Sequence, residues 1–325
     1  MQHTRLGPFE GVSRLALGGG GIGAVWGPTT RDEAITTVHA AVAAGINLLD
    51  LAPSYGNGEA ETVVGEAFAG RILEGVRLTT KCQLGAPEPD AVYSVLRASL
   101  EASLVRLRVD HVDCFILHSL LVPDERGERG SGRSSAPGTP LSLYRSHVRA
   151  AFQRLVDEGL ARAWGVTGIG VPSVVRAVLE DAPRPEVVQC IANLLDSPGG
   201  LKRYEEPATP RALIATAVAQ GVGVMGIRAV QAGALTDQID RALPDDHPDL
   251  ADYRRAAPFR AIAAELGVSA AYLAHRYALS IAGVDTVVLG VKNRPELAEC
   301  IQAEADGVLD AALISRIDDA CGWAR

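Results

Sequence analysis

Short apolar stretches of strand length alternate along the chain with longer segments in which apolar residues recur at helical spacing. The predicted strands are Arg14–Leu17, Ile46–Leu51, Val76–Cys82, Val112–His118, Ala163–Val166, Val187–Ile191, Gly223–Ile227 and Thr286–Leu289. The helical patterns between them include Arg31–Ala44, Asp90–Arg106, His147–Glu158, Val174–Leu179, Pro210–Ala219 and Pro258–Leu266. Eight strands, each followed by a helix, predict an α/β fold of the (β/α)8 (TIM) barrel type.

Several residues mark the ends of these elements. Thr30 and Ser269 precede helical patterns, where a hydroxyl can accept a hydrogen bond from a free backbone N–H. Gly45 and Gly159 follow helical patterns, where a left-handed residue commonly ends a helix. The opening segment TRLGPFEGVS, residues 4–13, predicts a short hairpin before the first barrel strand.

The length and charge of the chain narrow the class of protein. A barrel of about 250 residues can exceed 400 with insertions, so residues 1–325 are expected to form a single domain. The 47% hydrophobic content suffices for a large core. The net charge is −8 and no basic stripe is present, which argues against nucleic acid as a partner. A small-molecule substrate and a monomer or small homo-oligomer fit better.

The sequence also bears on location and metal content. It has no run of about 18 apolar residues, and its first residues lack the apolar core of a signal peptide. The five cysteines occur singly, without the paired spacing of metal ligands. We therefore expect a cytoplasmic protein without membrane association, structural metal or disulfide framework.

Three irregular segments interrupt the alternation. Residues 120–143 contain PDERGERGSGRSSAPGTP, a polar run that is too long for an ordinary connection. It is either a passive insertion or a lid, because it follows His118 at the end of a predicted strand. Residues 196–207 and 231–253 follow later strands on the same face. Long loops gathered at one end of a barrel can form a substrate pocket.

Four polar residues stand at or just beyond the carboxyl ends of consecutive predicted strands. Asp50 and Lys81 end two of them, His118 ends the third, and Tyr55 lies in the loop after Asp50. Three of them have an ordinary explanation when taken alone: Asp50 as a capping or turn acid, Tyr55 as a loop aromatic and His118 as a core histidine. A buried ammonium, however, requires a partner, and Asp50 on the neighbouring strand is within reach. Together the four predict an active site at this end of the barrel.

These residue types suit proton transfer to a carbonyl group. We expect the ammonium of Lys81 to lower the pKa of the Tyr55 phenol, which is near 10 in water. Tyr55 then serves as general acid in reduction and as general base in oxidation. Asp50 holds Lys81, and His118 orients the carbonyl. None of the four can supply a hydride, so a nicotinamide cofactor is required.

The glycine run at residues 18–23 contains G-x-G-x-x-G formally but does not predict a Rossmann fold. That motif must open a helix whose amino end receives a pyrophosphate, whereas here the next helix begins about eight residues later. The glycines, Gly19 among them, are instead expected to let the backbone approach a bound cofactor at the end of the first strand.

The segment DLAPSYGNGEAETVVG from Asp50 resembles the signature of the aldo-keto reductases in its bacterial form. The segments TTKC around Lys81 and ILHS around His118 are similar to two further signatures of that family. The resemblance covers essentially the whole chain. It implies a (β/α)8 barrel that binds an extended nicotinamide cofactor, with Asp50, Tyr55, Lys81 and His118 in the family's catalytic roles.

The match to the family is less complete at the positions expected to contact the nicotinamide. Gln189 matches the glutamine that holds the carboxamide of the cofactor. Thr167 and the glycine after it stand where most members have Ser-Asn. This Thr-Gly pair resembles that of the plant L-galactose dehydrogenases, which use NAD. Arg228 follows Ile227 where many members have Tyr-Ser. The stacking aromatic is therefore missing, and Arg228 is expected to cover that face.

The segment VLGVKNRPELAEC resembles the family's adenosine-binding segment. It places Gly290, Lys292 and Asn293 at the cofactor, with Lys292 and Asn293 near the expected 2′-phosphate. Lys292 and Arg294 either pair with that phosphate or are solvated charges at a helix start. Glu296 stands where many NADPH-binding members have Arg or Gln. The family base rate slightly favours NADPH, with NADH as the alternative.

The leading hypothesis is an NAD(P)H-dependent reductase or alcohol dehydrogenase acting on a small aldehyde, ketone or sugar. One alternative is an NAD-dependent sugar dehydrogenase of the L-galactose or fucose type. Another is a cofactor-binding regulatory subunit with little turnover. A metal-dependent barrel lyase or hydrolase would need a cluster of ligands at the strand ends, which the sequence does not show.

Overall fold

The computed structural model describes residues 1–124 and 138–322. The strands are β1 (His3–Leu6), β2 (Phe9–Ser13), β3 (Leu15–Gly18), β4 (Leu48–Asp50), β5 (Arg77–Cys82), β6 (Val112–Leu117), β7 (Leu121–Val122), β8 (Thr139–Pro140), β9 (Ala161–Thr167), β10 (Val187–Ile191), β11 (Gly223–Ile227) and β12 (Thr286–Leu289). Eight of them form a closed parallel barrel in the order β3-β4-β5-β6-β9-β10-β11-β12. The predicted (β/α)8 barrel is therefore confirmed.

Helices surround the barrel. They are α1 (Gly19–Ile22), α2 (Arg31–Ala43), α3 (Glu59–Ala67), α4 (Val92–Leu107), α5 (Leu141–Leu143), α6 (Arg149–Asp157), α7 (Pro172–Glu180), α8 (Pro210–Ala219), α9 (Pro248–Arg255), α10 (Ala257–Glu265), α11 (Ala270–Leu279), α12 (Arg294–Ala305) and α13 (Ala311–Ala320). The main apolar core fills the layer between the barrel strands and these helices. No helix in the described parts of the chain is long and apolar enough to span a membrane.

The predicted helix caps are present. The hydroxyls of Thr30 and Ser269 accept hydrogen bonds from the first turns of α2 and α11. Gly45 and Gly159 adopt φ values of +92° and +79° at the second position after the last residues of α2 and α6. The predicted strand Ile46–Leu51 is too long, however, because the Ile46 N–H donates to the Ala41 carbonyl and so closes the end of α2.

The predicted amino-terminal hairpin is formed by β1 and β2, which pair antiparallel. Leu6 and Val12 of this hairpin pack with residues inside the barrel, including Val187 and Met225. Asn47 ties the hairpin to the start of β4, since its side chain accepts a hydrogen bond of 2.8 Å from the Ser13 N–H. The hairpin thereby closes the amino-terminal end of the barrel.

The glycine run contains a feature that was not predicted from the sequence. Gly19–Ile22 form the one-turn helix α1 directly after β3. A Cβ at Gly21 would lie 1.9 Å from the Val291 carbonyl oxygen, and a Cβ at Gly18 would lie 2.2 Å from that of Leu289. These two glycines are required because the end of β3 lies against the end of β12, and α1 packs against the backbone that follows β12. The next helix begins at Arg31, as predicted.

The irregular segments lie at the carboxyl ends of the strands. In residues 120–143, Leu121–Val122 pair with Thr139–Pro140 as the small sheet of β7 and β8. Residues 125–137 of the expected lid lie outside the described residues. The segment after β10 contains the short 3-10 helix Gly199–Leu201, and the segment after β11 contains another at Gln231–Gly233.

Candidate active site

Neighbouring strands deliver the four predicted polar residues to one end of the barrel. Asp50 is the last residue of β4, Lys81 is the penultimate residue of β5, and His118 follows β6. Tyr55 lies in the turn between β4 and α3. Gly56, at φ +65°, follows it, and a Cβ there would lie 2.4 Å from the Gly23 carbonyl oxygen. The turn can therefore pack against the end of α1 only with glycine at this position.

Lys81 is the centre of the arrangement. Its side chain is 0% exposed, so its charge depends entirely on protein partners. The Nζ atom lies 3.0 Å from Asp50 Oδ2, 2.7 Å from the Leu51 carbonyl oxygen and 3.3 Å from the Tyr55 hydroxyl. Burial lowers the pKa of Lys81, but Asp50 and the Tyr55 oxygen outweigh it, and the pKa is raised overall. Lys81 therefore remains an ammonium.

Asp50 is held by two further contacts besides its ion pair. Its Oδ1 atom accepts hydrogen bonds from Thr79 Oγ1 at 2.7 Å and from Gln189 Nε2 at 2.8 Å. Oδ2 is left to Lys81, so each oxygen of the buried carboxylate has a partner. This fixes the direction in which Asp50 presents its charge to Lys81.

Tyr55 stands between Lys81 and His118. The ammonium of Lys81 lies 4.7 Å from the centre of the phenol ring. The ring meets the His118 imidazole edge to face, with centroids 6.0 Å apart. Burial raises the pKa of Tyr55, whereas the charge of Lys81 lowers it, and burial prevails. The prediction that the pKa falls below its ordinary value is therefore wrong for the protein alone, although the direction of the Lys81 contribution is as expected.

His118 is a neutral imidazole over the physiological pH range. Burial, together with the nearby charge of Lys81, lowers its pKa to about 3. Its backbone N–H donates to the Cys82 carbonyl oxygen, which anchors the residue between β5 and β6. A neutral ring retains one N–H donor and one acceptor, so it can orient a carbonyl oxygen without donating a full proton.

A cavity of about 270 Å³ opens beside His118. Its lining comprises Gln83, Leu84, Gly85, His118, Ser119, Leu120, Thr167, Ile169, Leu201 and Arg203. The volume is near the lower limit of pockets that bind small molecules. Residues from two of the three irregular segments, Leu120 and Arg203 among them, contribute to its wall. The expectation that long loops form a pocket at this face agrees with this lining.

Gln189 and Thr167 lie at the same end of the barrel. Besides its bond to Asp50, Gln189 has Thr167 Oγ1 at 3.5 Å from its Oε1 atom. Both residues are almost fully buried, and Thr167 lines the cavity. Gln189 is thus fixed at its amide nitrogen and weakly bonded at its oxygen, which leaves acceptor capacity towards a ligand.

Arg228 is expected from the sequence to cover the nicotinamide, but its guanidinium binds other residues of the protein. Its guanidinium donates to Gln231 Oε1 at 2.8 Å and to Asp249 Oδ1 at 3.0 Å. Arg241 binds the other oxygen of Asp249 at 3.1 Å. Burial lowers the pKa of Arg228, which Asp249 opposes. The described contacts therefore assign Arg228 to a buried ion-pair cluster, and its contact with a cofactor stays a prediction.

Gly19 and Gly290 flank the entrance to this end of the barrel. A Cβ at Gly19 would lie 3.0 Å from Tyr55 Cδ2, so α1 packs directly against the phenol ring. Gly290 follows β12, and a Cβ there would lie 3.3 Å from Trp26 Cδ1. Trp26 also lies over Gly20. These glycines bring α1, the Trp26 loop and the end of β12 close together.

The ammonium of Lys292 has carboxylate partners within the protein. Its ammonium forms a short ion pair with Asp240 and lies 3.2 Å from Glu296 Oε1. Asn293 caps α12, because its side chain accepts a hydrogen bond from the Glu296 N–H. Arg294 forms an ion pair with Glu33 at 3.0 Å. Both cations proposed for a 2′-phosphate therefore have carboxylate partners in the protein alone.

Several residues that support the site were not predicted from the sequence. Thr79 shares Asp50 with Gln189, and Asp240 holds Lys292 from a distant loop. Glu61, fully buried in α3, binds Thr80 at 2.5 Å and Arg106 at 2.6 Å. The alternation of side chains along β5 was a usable signal, since Thr79 and Lys81 must face the same side.

The cysteine thiols form no disulfide, and the described residues contain no candidate group of metal ligands. All five cysteines are buried and free of disulfides. Within residues 1–124 and 138–322, no group of three or more His, Cys, Asp and Glu residues could hold a metal ion.

The closed barrel carries an acid, a lysine, a tyrosine and a histidine together at the carboxyl ends of its strands. The sequence model of the Aldo/keto reductase family matches residues 14–321. The chain belongs to this family and is an NAD(P)-dependent oxidoreductase.

The similarity of the chain to individual proteins is moderate. The chain is 28% identical to L-galactose dehydrogenase of Arabidopsis thaliana, over 90% of this chain and 84% of that protein. It is 39% identical to 6-dehydroglucose reductase of Novosphingobium aromaticivorans, over 59% of this chain and 69% of that protein. The fold is similar to glycerol dehydrogenase of Gluconobacter oxydans, with a TM-score of 0.70, 24% identity and coverage of 99% and 96% of the two chains.

Proposed function

We propose that this protein interconverts a small carbonyl compound, an aldehyde, ketone or sugar, and the corresponding alcohol, with Tyr55 as general acid and base. The observation that carries the proposal is the Lys81 contact with the Tyr55 hydroxyl at 3.3 Å, backed by Asp50 at 3.0 Å from the same ammonium. A phenol hydrogen-bonded to a fixed ammonium can transfer its proton without leaving an unpaired negative charge in a buried site.

The residues present fit a nicotinamide cofactor. When bound, such a cofactor supplies the hydride that none of the four polar side chains can supply. Gln189, with its amide nitrogen fixed on Asp50 and its oxygen weakly bonded, fits the carboxamide, and Thr167 lies beside it. Gly19, Gly290, Lys292, Asn293 and Arg228 are proposed contacts along the remainder of the cofactor.

In reduction, the neutral His118 ring donates a hydrogen bond to the substrate carbonyl and orients it. The Tyr55 hydroxyl then gives its proton to the carbonyl oxygen as negative charge develops there. Lys81 stabilises the phenolate that remains, and Asp50 keeps Lys81 charged and in place. Because the pKa of Tyr55 is raised in the protein alone, the phenol is protonated at neutral pH. This is the protonation state that reduction requires.

A second candidate is a dehydrogenase that oxidises a sugar with NAD. The ion pairs of Lys292 with Asp240 and Glu296, and of Arg294 with Glu33, favour it. A 2′-phosphate would have to compete with three carboxylates for these two cations. The slight preference for NADPH predicted from the sequence stays a prediction, as do the cytoplasmic location and the oligomeric state.

The test is a panel of small aldehydes, ketones and aldoses, assayed with NADPH and NADH, using the wild type and Tyr55→Phe. We expect turnover by the wild type and a loss of at least about 100-fold in Tyr55→Phe, a typical contribution of general acid catalysis. Cofactor binding, followed by nicotinamide fluorescence, should persist because the substitution removes only the hydroxyl. Comparable turnover by the two proteins would rule out Tyr55 as the acid.

A further inference from the structure

The cavity beside His118 carries an uneven charge. Of its lining residues, Arg203 is the only ionised side chain among those that the structure describes, and none is a carboxylate. The chain as a whole has a net charge of −8, so a cationic wall with no acid among its described residues departs from the general character of the protein. Ser119 and Thr167 add hydroxyl groups to the same wall.

Arg203 also differs from the other arginines near this end of the barrel. Arg228 is paired with Asp249, and Arg211 is paired with Asp196 at 2.6 Å. Arg203 is partly buried, yet it forms no hydrogen bond or ion pair with any residue in the ranges 1–124 and 138–322. Its neighbour Lys202, in contrast, donates to the Tyr204 carbonyl oxygen at 2.9 Å. Arg203 is thus a partly buried residue whose five guanidinium donors are not used by the described part of the chain, and such a group can bind an anion.

Arg203 lines the same cavity as His118, the residue proposed to orient the substrate carbonyl. It lies in the segment after β10, whereas His118 follows β6, and β9 separates these strands in the barrel. Both side chains line the same cavity of about 270 Å³. One small molecule can therefore contact His118 with its carbonyl oxygen and Arg203 with a second group.

We propose that the substrate is a small aldehyde or ketone that also carries a carboxylate, and that Arg203 binds this carboxylate and sets the specificity of the site. The proposal rests on the function proposed above. A planar guanidinium matches a carboxylate with two parallel hydrogen bonds, which gives orientation as well as affinity. The bound carboxylate directs the carbonyl at the other end of the molecule towards His118 and Tyr55.

The kinetic test compares two aldehydes of nearly equal shape, 4-formylbenzoate and its neutral amide 4-formylbenzamide, together with the meta isomers of both. We expect the wild type to show kcat/KM at least tenfold higher for the carboxylate, because a hydrogen-bonded charge contributes about ten- to a hundredfold. In Arg203→Gln this ratio should fall to about one. Lys202→Gln, which removes the adjacent charge outside the cavity, should retain the wild-type ratio.

A binding measurement separates this proposal from the proposed function. Benzoate and benzamide, which cannot be reduced, are titrated calorimetrically into the wild type, Arg203→Gln and Lys202→Gln. We expect benzoate to bind the wild type and Lys202→Gln at least tenfold more tightly than benzamide, and this difference to disappear in Arg203→Gln. If no aldehyde is turned over but the difference in binding is present, the proposed function fails and the anion site stands.

Three results would overturn the proposal. The first is equal affinity of the wild type for benzoate and benzamide, with equal kcat/KM for the two aldehydes. The second is an undiminished carboxylate preference in Arg203→Gln. The third is the same loss in Lys202→Gln, which would attribute the preference to the general charge of the surface and not to the cavity.

Discussion

The side-chain amide of Gln189 donates a hydrogen bond of 2.8 Å to Asp50, the carboxylate that holds Lys81. A residue expected to bind the cofactor is thus bonded directly to the group that fixes the ammonium beside Tyr55. Thr79 donates to the same Asp50 oxygen at 2.7 Å. The side chain proposed to bind the cofactor and the ammonium of Lys81 are therefore connected through one carboxylate.

This link predicts different effects for two substitutions that each remove one hydrogen bond from Asp50. Gln189→Leu should weaken cofactor binding and also lower turnover by about tenfold, since it removes a bond to a charged group. Thr79→Val should lower turnover alone and leave cofactor affinity essentially unchanged. Fluorescence titration and steady-state kinetics measure the two quantities. A loss of cofactor affinity in Thr79→Val as large as that in Gln189→Leu would disprove separate roles.

Lys81→Met should shift the pH dependence of alcohol oxidation to higher pH. Oxidation requires the phenolate of Tyr55, so its rate rises with pH up to the pKa of that group. Lys81 lowers this pKa, and its removal raises it further. At a fixed pH below the pKa, the fraction of phenolate, and with it the rate, falls about tenfold when the pKa rises by one.

The measurement is the pH dependence of kcat/KM for both proteins, from mildly acidic to alkaline pH. Because the pKa of His118 is lowered to about 3, neither profile should contain the step of an ordinary histidine near pH 6.5. Thermal unfolding of Lys81→Met checks that the loss of a buried partner has not unfolded the barrel. An unchanged alkaline step in a folded variant would show that Lys81 does not tune Tyr55.

Asp240→Asn should move cofactor selectivity towards NADPH. The substitution removes one carboxylate from Lys292 and leaves its ammonium more available to a 2′-phosphate. We expect the ratio of NADH to NADPH dissociation constants to rise by about tenfold, as for a hydrogen bond to a charged group. Glu33→Gln, which frees the more exposed Arg294, is the matched control and should have a smaller effect. No change in the ratio for Asp240→Asn would place the phosphate site elsewhere.

Gly21→Ala should destabilise the fold. The added Cβ would lie 1.9 Å from the Val291 carbonyl oxygen, so α1 or the segment after β12 has to move. Overpacking of this kind costs about 1–3 kcal/mol in the free energy of unfolding, which urea denaturation measures. Gly290→Ala is a suitable comparison, since its Cβ would meet only the edge of Trp26 at 3.3 Å. Equal stability of Gly21→Ala and the wild type would contradict the packing described for α1.

The barrel and the meeting of Asp50, Tyr55, Lys81 and His118 could be predicted from the sequence, because both depend on local periodicity. A polar residue at the end of an apolar parallel strand must lie at the carboxyl end of the sheet. The helix α1 was missed because glycine disfavours helices, and only the packing of α1 against residues after β12 makes it favourable.

Contacts between distant loops could not be predicted in the same way. The pairing of Lys292 with Asp240 joins residues 52 positions apart, and no periodic pattern relates them. The raised pKa of Tyr55 also escaped prediction, because it depends on how much surrounding protein excludes water. The neighbouring charge of Lys81 was evident from the sequence, but not the depth of burial that outweighs it.

The amino-terminal hairpin of β1 and β2 has a consequence for access to the site. Leu6 and Val12 pack into the barrel interior at the end opposite Tyr55. Molecules therefore reach Tyr55 and leave it across the rim where α1 and the long loops lie. Entry and departure share this one face, on the opposite side of the molecule from the hairpin.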